Sequence, residues 1–240
     1  GLNGSAVIVP VLLGCLPKPE INIITVEDPV EFRMRGINQV QVNNKAGMTF
    51  AAALRSILRA DPDVVLIGEI RDQETANIAI KASLTGHLVL STLHTNDAPS
   101  AVTRLTEMGV EPFLLSSSLA AVMAQRLARR LCKKCKRQDT ATEAELRTLG
   151  VPHMPDTPLP TIWRPVGCRE CANTGYSGRV AIQQVMGVDS TMEDLIARGA
   201  TSIDIDKAAK EQGMTTLRKD GWQKALQGIT SVEEVLRVTV

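Results

Sequence analysis

Residues 61–72 read DPDVVLIGEIRD, and this stretch decides the fold of the chain. Its centre, residues 64–67, is apolar and rich in β-branched side chains without polar alternation, which predicts a strand buried on both faces of a parallel sheet. Gly68 allows a sharp turn directly after this strand, and Glu69 follows it. Open α/β sheets bind ligands beyond the carboxyl ends of their strands. Glu69 is therefore a candidate functional acid, and a core strand that ends in a solvated acid is the alternative.

Two further strands are predicted to end in residues that can carry chemistry. Residues 21–26 read INIITV and run into Glu27, and residues 87–92 read HLVLST and lead to His94. We expect residues 87–92 to be a third buried strand. Glu27, Glu69 and His94 then stand at three strand ends, on the ligand edge of one sheet. An acidic turn and a structural histidine are the alternatives when each segment is taken alone.

The rest of the chain is mainly helical in its periodicity. Residues 37–42 alternate and predict another strand, and residues 180–186 are strand-like. Predicted helices cover residues 50–59, 72–84, 98–108, 112–130, 143–149, 191–197, 203–212, 214–226 and 232–238. Together these elements indicate an α/β fold with a parallel-rich central sheet.

Composition narrows the classes of function. The 240 residues carry a formal net charge of +1, so no field of the whole chain recruits nucleic acid or an anionic membrane. Aromatic residues make up only 2% of the chain, which argues against a stacking platform for single-stranded bases. The longest apolar run, residues 6–16, is too short to span a bilayer, and we expect a cytoplasmic protein.

Four of the five cysteines form two C-x-x-C pairs, Cys132 with Cys135 and Cys168 with Cys171. In a chain of this length, for which we expect no signal peptide, the pattern favours reduced thiols and a metal over disulfides. Four thiolates complete a tetrahedral structural zinc site and leave no position for a catalytic water. A redox role for either pair is the weaker interpretation, because no βαβ pattern surrounds them.

Basic side chains cluster around the first cysteine pair. One interpretation of this cluster is a solvated surface without a binding role. The functional interpretation is contact with anionic lipid or with an acidic partner protein. Binding of nucleic acid is the third and weakest interpretation, because aromatic residues are scarce. The cluster consists of Arg126, Arg129, Arg130, Lys133, Lys134, Lys136 and Arg137.

The first residues look like the start of a phosphate-binding loop that is not completed. Gly1, Gly4 and Ser5 fit the opening of the pattern G-x-x-x-x-G-K-[S/T], but residues 6–8 are Ala-Val-Ile where glycine, lysine and a hydroxyl are required. Pro10 also falls where the helix after such a loop should run, and proline breaks a helix interior. The segment is either a buried strand or a damaged motif.

Taken together, these motifs resemble the motifs of one protein family. The chain is similar, from about residue 19 to 240, to the C-terminal motor domain of the type II secretion and type IV pilus assembly ATPases, which are hexameric and RecA-like. The matching segments are ITVEDPVEF at 24–32, DPDVVLIGEIRD at 61–72, HLVLSTLHTNDA at 87–98, the paired C-x-x-C, GYSGR at 175–179 and GITSVEEVLRVT at 228–239.

The resemblance implies three parts and a set of roles. Residues 1–130 would be a RecA-like P-loop NTPase core with a degenerate loop, 131–178 a tetracysteine zinc module, and 179–240 a C-terminal strand and helical subdomain. Glu27 would orient or deprotonate the attacking water, Glu69 would act on Mg²⁺ or that water, and His94 would sense the γ-phosphate. The other implied contacts are Gly1, Gly4, Ser5, Asp28 and Arg71 to ATP, Arg179 to the neighbouring subunit, and Cys132, Cys135, Cys168 and Cys171 to Zn²⁺.

The function implied is ATP hydrolysis that drives assembly of a type IV pilus or a type II secretion pseudopilus. The expected partners are five further copies in a homohexamer, an inner-membrane platform protein, a cytoplasmic adaptor and anionic lipid, with no nucleic acid. We expect the protein in the cytoplasm, peripheral at the inner membrane.

Two departures from the family keep other interpretations open. The loop lysine is absent from residues 1–10, and we expect the N-terminal domains of the family to be missing as well. Either the sequence is a fragment with an altered start, or it is a variant that cannot hydrolyse ATP. The alternatives in function are a non-hydrolysing, ring-forming structural subunit with a zinc module and, more weakly, a zinc-ribbon protein that binds nucleic acid.

Overall fold

The computed structural model describes residues 20–154 and 156–239, so the predicted phosphate loop with Gly1, Gly4 and Ser5 lies outside the described residues. The chain divides into two compact units. The first combines the described residues up to Val122 with Gly187–Ala209, and the second combines Met123–Met186 with the residues from Lys210 onward. The division by function at residues 130 and 178 stays a prediction.

A four-stranded parallel sheet is the centre of the first unit. Its strands are β1 (Ile23–Glu27), β2 (Asn38–Gln41), β3 (Val64–Ile67) and β4 (Leu88–Ser91). They lie in the order β2-β1-β3-β4, and each neighbouring pair is parallel. All four residues of β3 are buried, as expected of an apolar strand in the middle of a parallel sheet. The predicted α/β fold with a parallel sheet is confirmed.

The expectation that residues 87–92 form a buried strand is wrong. Leu88 and Ser91 of β4 are exposed, and the two residues between them are half-buried. In the described part of the chain β4 pairs with β3 only, which leaves it at the edge of the sheet. An apolar run therefore predicted the strand itself but not its place in the sheet.

Helices cover the sheet and complete the first unit. Thr49 caps α1 (Phe50–Ile57) by accepting the amide of Ala52, and Asp72 caps α2 (Gln73–Leu84) by accepting the amide of Thr75. Both are side chains that stabilise helix N-termini. The remaining helices are α3 (Pro99–Glu107), α4 (Pro112–Ser118), α6 (Ser190–Ala197) and α7 (Ser202–Glu211), of which the last two residues of α7 belong to the second unit. Helices α4 and α6 pack together, which ties the later segment of the chain to the first unit.

The predicted helix 112–130 is wrong in its second half. Helix α4 ends at Ser118, and residues Ala121–Leu131 form strand β5, which pairs with β8 (Tyr176–Gly187). The buried positions of β5 are Ala124, Ala128 and Leu131, and this spacing of four and three residues imitates one face of a helix. Pairing with β8 overrides the helical preference of an Ala-, Leu- and Arg-rich segment.

The second unit is built on β5 and β8 together with an antiparallel pair of strands, β6 (Arg137–Thr140) and β7 (Thr161–Arg164). Its helices are α5 (Glu143–Leu149), α8 (Leu217–Leu226) and α9 (Val232–Val238). Their apolar faces meet in one core, whose members include Leu146, Ile162, Ile182, Trp222 and Val235.

A buried carboxylate fastens the C-terminal helix of this unit. The side chain of Glu234 is 1% exposed, and it accepts the backbone amide of Arg129 at 2.8 Å and the guanidinium of Arg129 at 2.7 Å. Arg237 donates to the same carboxylate from Nε at 2.8 Å and from Nη2 at 2.7 Å. Burial raises the pKa of Glu234, but these hydrogen bonds outweigh it and lower the pKa to about 2.

Candidate functional site

Three strand ends meet at one edge of the parallel sheet. Glu27 is the last residue of β1, Glu69 follows β3 by two residues and His94 follows β4 by three. The turn after β3 approaches β1 closely, because the amide of Gly68 donates to the carbonyl of Val26 at 2.8 Å. A Cβ at Gly68 would lie 3.2 Å from that carbonyl oxygen and 3.3 Å from Cα of Glu27. Glycine at this position therefore lets Glu69 stand next to the end of β1.

Glu69 is the centre of a small charged group. Its carboxylate is 13% exposed, and its Oε2 lies 3.2 Å from Nε2 of His94. Its Oε1 forms an ion pair with the guanidinium of Arg71. Both partners are largely in solvent, at 75% exposed for His94 and 64% for Arg71. The side chains of His94 and Arg71 are thus accessible to a ligand.

The electrostatics of this group keep the acid ionised. Burial raises the pKa of Glu69, but hydrogen bonds and charges from Arg71 and His94 outweigh it and leave the pKa below its usual value. The pKa of Arg71 is raised, chiefly by its hydrogen bond to Glu69 and additionally by the charge of Asp28. Asp28, which directly follows β1, therefore acts on the same group as Glu69, Arg71 and His94.

Thr92 fixes the turn that carries Glu69, and sequence reasoning missed it. Its hydroxyl donates to the carbonyl of Gly68 at 2.6 Å, and its carbonyl accepts the amide of Ile70 at 3.0 Å. The residues on both sides of Glu69 are therefore bound to the end of β4. A hydroxyl directly after an apolar strand was the only sign of this role in the sequence.

Glu27 is also held by residues that sequence reasoning missed. Oε1 of Glu27 accepts the hydroxyl of Thr25 at 2.6 Å and the side-chain amide of Gln39 at 2.9 Å. Thr25 interrupts the otherwise apolar centre of β1, which was a visible signal. The role of Gln39 depends on the register between β1 and β2, which no local pattern gives.

The chemistry available at this edge is that of two carboxylates, an imidazole and an arginine. Carboxylate oxygens are the protein ligands that Mg²⁺ accepts, and a positioned carboxylate can take a proton from water. A guanidinium pairs well with phosphate oxygens. The arrangement therefore suits the handling of a phosphate ester together with a divalent cation.

Arg179, the predicted contact to a neighbouring subunit, belongs to the second unit. It is exposed, near the start of β8 and next to Gly178, whose φ of 76° is in the left-handed region that favours glycine.

The four cysteines of the second unit form one cluster. The sulfur atoms of Cys132, Cys135, Cys168 and Cys171 all lie within 4.8 Å of one another, and the four thiols are free. Three of the sulfur pairs are 3.7–3.9 Å apart. Four sulfurs around a tetrahedral zinc with Zn–S bonds of about 2.3 Å would be about 3.8 Å apart. The cluster therefore has the spacing that a zinc ion requires.

Backbone amides point at these sulfurs. Gly167 donates to Cys135 at 3.3 Å, while Cys168 and Gly175 donate to Cys171 at 3.2 and 3.3 Å. Burial raises the pKa of the Cys171 thiol, but hydrogen bonds from the two amides and from the thiols of Cys168 and Cys135 outweigh it and lower the pKa to about 6. Gly167 has φ of 116°, and a Cβ there would lie 2.8 Å from the carbonyl oxygen of Asn173, so the loop requires glycine. These donors stabilise the thiolates that a metal needs.

The basic cluster of residues 126–137 is partly used inside the second unit. Arg129 binds Glu234, and it also lies over the Tyr176 ring at 4.1 Å. Lys136 donates to the carbonyl of Gly228 at 2.7 Å, and Lys134 lies 3.7 Å from Glu170. Arg129 and Lys136 thus have a structural role.

None of the helices in the described ranges is long and apolar enough to cross a membrane.

Known proteins match this chain in sequence. Type II secretion system protein E from Pseudomonas aeruginosa is 56% identical over 218 residues, which is 91% of this chain and 43% of that protein. The type IV pilus assembly ATPase PilB from Thermus thermophilus is 50% identical over 229 residues, which is 95% of this chain and 26% of that protein. The chain thus spans less than half the length of these relatives.

Solved structures and a family model match as well. The pilus retraction motor PilT, solved with bound ADP, aligns with a TM-score of 0.65 at 25% identity, over 90% of this chain and 52% of that one. The ATPase DotB from Yersinia pseudotuberculosis has the same fold, with a TM-score of 0.70 at 18% identity over 100% of this chain and 55% of that one. The family model described as type II/IV secretion system protein matches residues 3–237. The chain therefore belongs to the type II/IV secretion system protein family.

Proposed function

We propose that the protein containing this chain hydrolyses ATP and uses the energy to assemble a type IV pilus or a type II secretion pseudopilus. The observation that carries the proposal is the group of Glu69, His94 and Arg71 at the carboxyl edge of the sheet, beside Glu27 at the end of β1. Membership of the family, and relatives named as pilus and secretion proteins, support the same activity.

The roles we propose are those that the resemblance to the family assigns to each side chain. Glu27 orients the attacking water or takes its proton, and His94 senses the γ-phosphate. Glu69 holds Mg²⁺ or the water, while Asp28 and Arg71 contact the nucleotide. Mg²⁺, when bound, neutralises the negative charge that develops on the phosphate oxygens. Because phosphoryl transfer needs little covalent help from protein, the main task of these groups is to position water and to stabilise charge.

We assign Zn²⁺ to the four cysteines, as a structural ion. Four thiolates satisfy tetrahedral zinc, so the metal holds the loops at Cys132 and Cys168 together and takes no part in hydrolysis.

The assembly we propose is a homohexamer in which Arg179 contacts the neighbouring subunit. Its further partners are an inner-membrane platform protein and a cytoplasmic adaptor, which place the ring on the cytoplasmic side of the membrane. Contact between exposed basic residues such as Lys133 and anionic lipid is part of the same proposal, and nucleic acid is not.

The test is the substitution Glu69→Gln in the full-length protein. It keeps the shape of the side chain but removes the charge that binds Arg71 and His94, so we expect ATP turnover to fall by about 100-fold or more. The matched control is Glu74→Gln, since Glu74 is 62% exposed and pairs with Arg55 outside the site. Unchanged turnover in Glu69→Gln would contradict the assignment of this edge.

The second candidate is a ring-forming structural subunit that does not hydrolyse ATP. Residues 6–8, Ala-Val-Ile in place of the loop glycine, lysine and hydroxyl, favour it. An intact mass with a peptide map of residues 1–20 establishes whether the polypeptide carries this sequence. If it does, magnesium-dependent hydrolysis of ATP by that polypeptide would rule the second candidate out.

A further inference from the structure

Glu27 is held at one of its two carboxylate oxygens only. The hydroxyl of Thr25 donates to Oε1 at 2.6 Å, and Nε2 of Gln39 donates to the same Oε1 at 2.9 Å. Within residues 20–154 and 156–239, no hydrogen bond or ion pair ends on Oε2 of Glu27. The two donors thus fix the carboxylate and leave a particular oxygen available.

The convergence of these three side chains is a result of strand register. Thr25 and Glu27 are two residues apart in β1, so their side chains lie on the same face of the sheet. In the parallel pairing of β1 with β2, Thr25 stands opposite Gln39. The donors therefore reach Oε1 from the same strand and from the neighbouring one.

Thr25 is an unusual residue for its position. It is completely buried, between the apolar residues Ile24 and Val26. A buried hydroxyl costs free energy unless it is hydrogen-bonded, and a valine of nearly the same shape would fill the space without that cost. The one side-chain partner of its hydroxyl in the described structure is Glu27.

Gln39 connects Glu27 to the loop that follows it. Besides donating to Glu27, Nε2 of Gln39 donates to the carbonyl of Phe32 at 2.9 Å, and its Oε1 accepts the amide of Met34 at 2.8 Å. Both amide protons and the amide oxygen are therefore engaged. One side chain holds the carboxylate and the loop in a fixed relation to each other.

We propose that Thr25 and Gln39 are positioning residues for ATP hydrolysis, which hold Oε1 of Glu27 so that Oε2 is the atom that receives the proton of the attacking water. The inference rests on the proposed function, since it takes Glu27 as the proton acceptor. In the step, the water oxygen bonds to the γ-phosphorus while its proton passes to Oε2. The bond from that phosphorus to the bridging oxygen breaks, and its electron pair leaves with ADP.

The decisive variant is Thr25→Val in the full-length protein, because it removes the hydroxyl and nearly conserves the shape. We expect kcat to fall roughly tenfold or more, since small misplacements of a reacting group are costly. We expect KM for ATP to be unchanged, because Thr25 acts through Glu27 and not on the nucleotide. Thr25→Ser restores the hydroxyl, and it should recover most of the lost kcat.

The matched control is Thr75→Val. Thr75 is 1% exposed and lies in the same unit, but its buried hydroxyl has no hydrogen-bond partner in the described part of the chain. The same chemical change there should leave kcat unaltered. If Thr25→Val does not fold, Gln39→Met tests the second donor from the partly exposed strand β2, with the same expected loss of kcat at constant KM.

The outcomes separate this inference from the proposed function. Wild-type kcat in Thr25→Val, or a loss in Thr25→Ser as large as in Thr25→Val, overturns the positioning role while ATP hydrolysis stands. A complete lack of ATP hydrolysis by the unmutated full-length protein overturns the proposed function and the positioning role with it.

Discussion

Replacing Glu234 with glutamine should destabilise the second unit in a way that depends on pH. The buried carboxylate of Glu234 accepts hydrogen bonds from Arg129 and Arg237, and its pKa is lowered from 4.5 to about 2. At about 1.4 kcal/mol per pKa unit, this difference corresponds to about 3 kcal/mol of stability. A glutamine in its place has the same shape but no charge for the two guanidinium groups.

The sign of the pH dependence follows from the direction of the shift. A carboxylate with a lowered pKa stabilises the folded state above its unfolded pKa, and this contribution is lost as the pH falls from about 4.5 towards 2. We therefore expect Glu234→Gln to unfold about 3 kcal/mol more easily than the unmutated protein near neutral pH, and the two proteins to converge near pH 2.

Tryptophan fluorescence during urea unfolding is the appropriate assay. The two tryptophans of the chain, Trp163 and Trp222, both lie in the second unit, so their emission reports its unfolding. Taking the difference between the two proteins at each pH cancels the contribution of any bound metal. Glu211→Gln, at an exposed residue of the same unit, is the control. The electrostatic explanation would be refuted if the two proteins differed equally in stability near neutral pH and near pH 2. It would also be refuted if their stabilities were the same near neutral pH.

Two further predictions concern the metal and the site turn. Metal analysis should find about one zinc per chain, and this zinc should be absent in Cys168→Ser and retained in Cys15→Ser. A chelator should lower the urea concentration at the midpoint of unfolding, as measured by tryptophan fluorescence. Freshly reduced protein without zinc would refute the metal assignment. Gly68→Ala places a Cβ 3.2 Å from the Val26 carbonyl oxygen, so kcat for ATP should drop roughly tenfold. Gly187→Ala, which meets nothing within 4 Å, is its control, and equal activity in both variants would contradict the close-approach argument.

The strand ends were predictable because their signals are local. The apolar run at residues 64–67 and the acid beyond Gly68 predicted β3 and Glu69, and His94 followed from the same reasoning. The C-x-x-C spacing likewise predicted the cysteine cluster. Each of these inferences needed only a few consecutive residues and the rule that parallel strands bind ligands at their carboxyl ends.

The features that could not be predicted from the sequence depend on pairing between distant segments of the chain. Strand β5 has buried residues at helical spacing, and only its pairing with β8, some 50 residues later, makes it a strand. The exposure of β4 is decided by which strands lie beside it. The contacts of Gln39 depend on strand register, and those of Thr92 depend on the path of a turn. Both are properties of the tertiary structure.

The interleaving of the two units has a consequence for genetics. The chain passes from one unit to the other after Val122, after Met186 and again after Ala209. A stop codon placed after Met186 would therefore damage both units at once, since it removes α6 from the first and α8 and α9 from the second. Recombination that exchanges one unit between related genes needs a crossover at each of these three positions. The two units should therefore be inherited together.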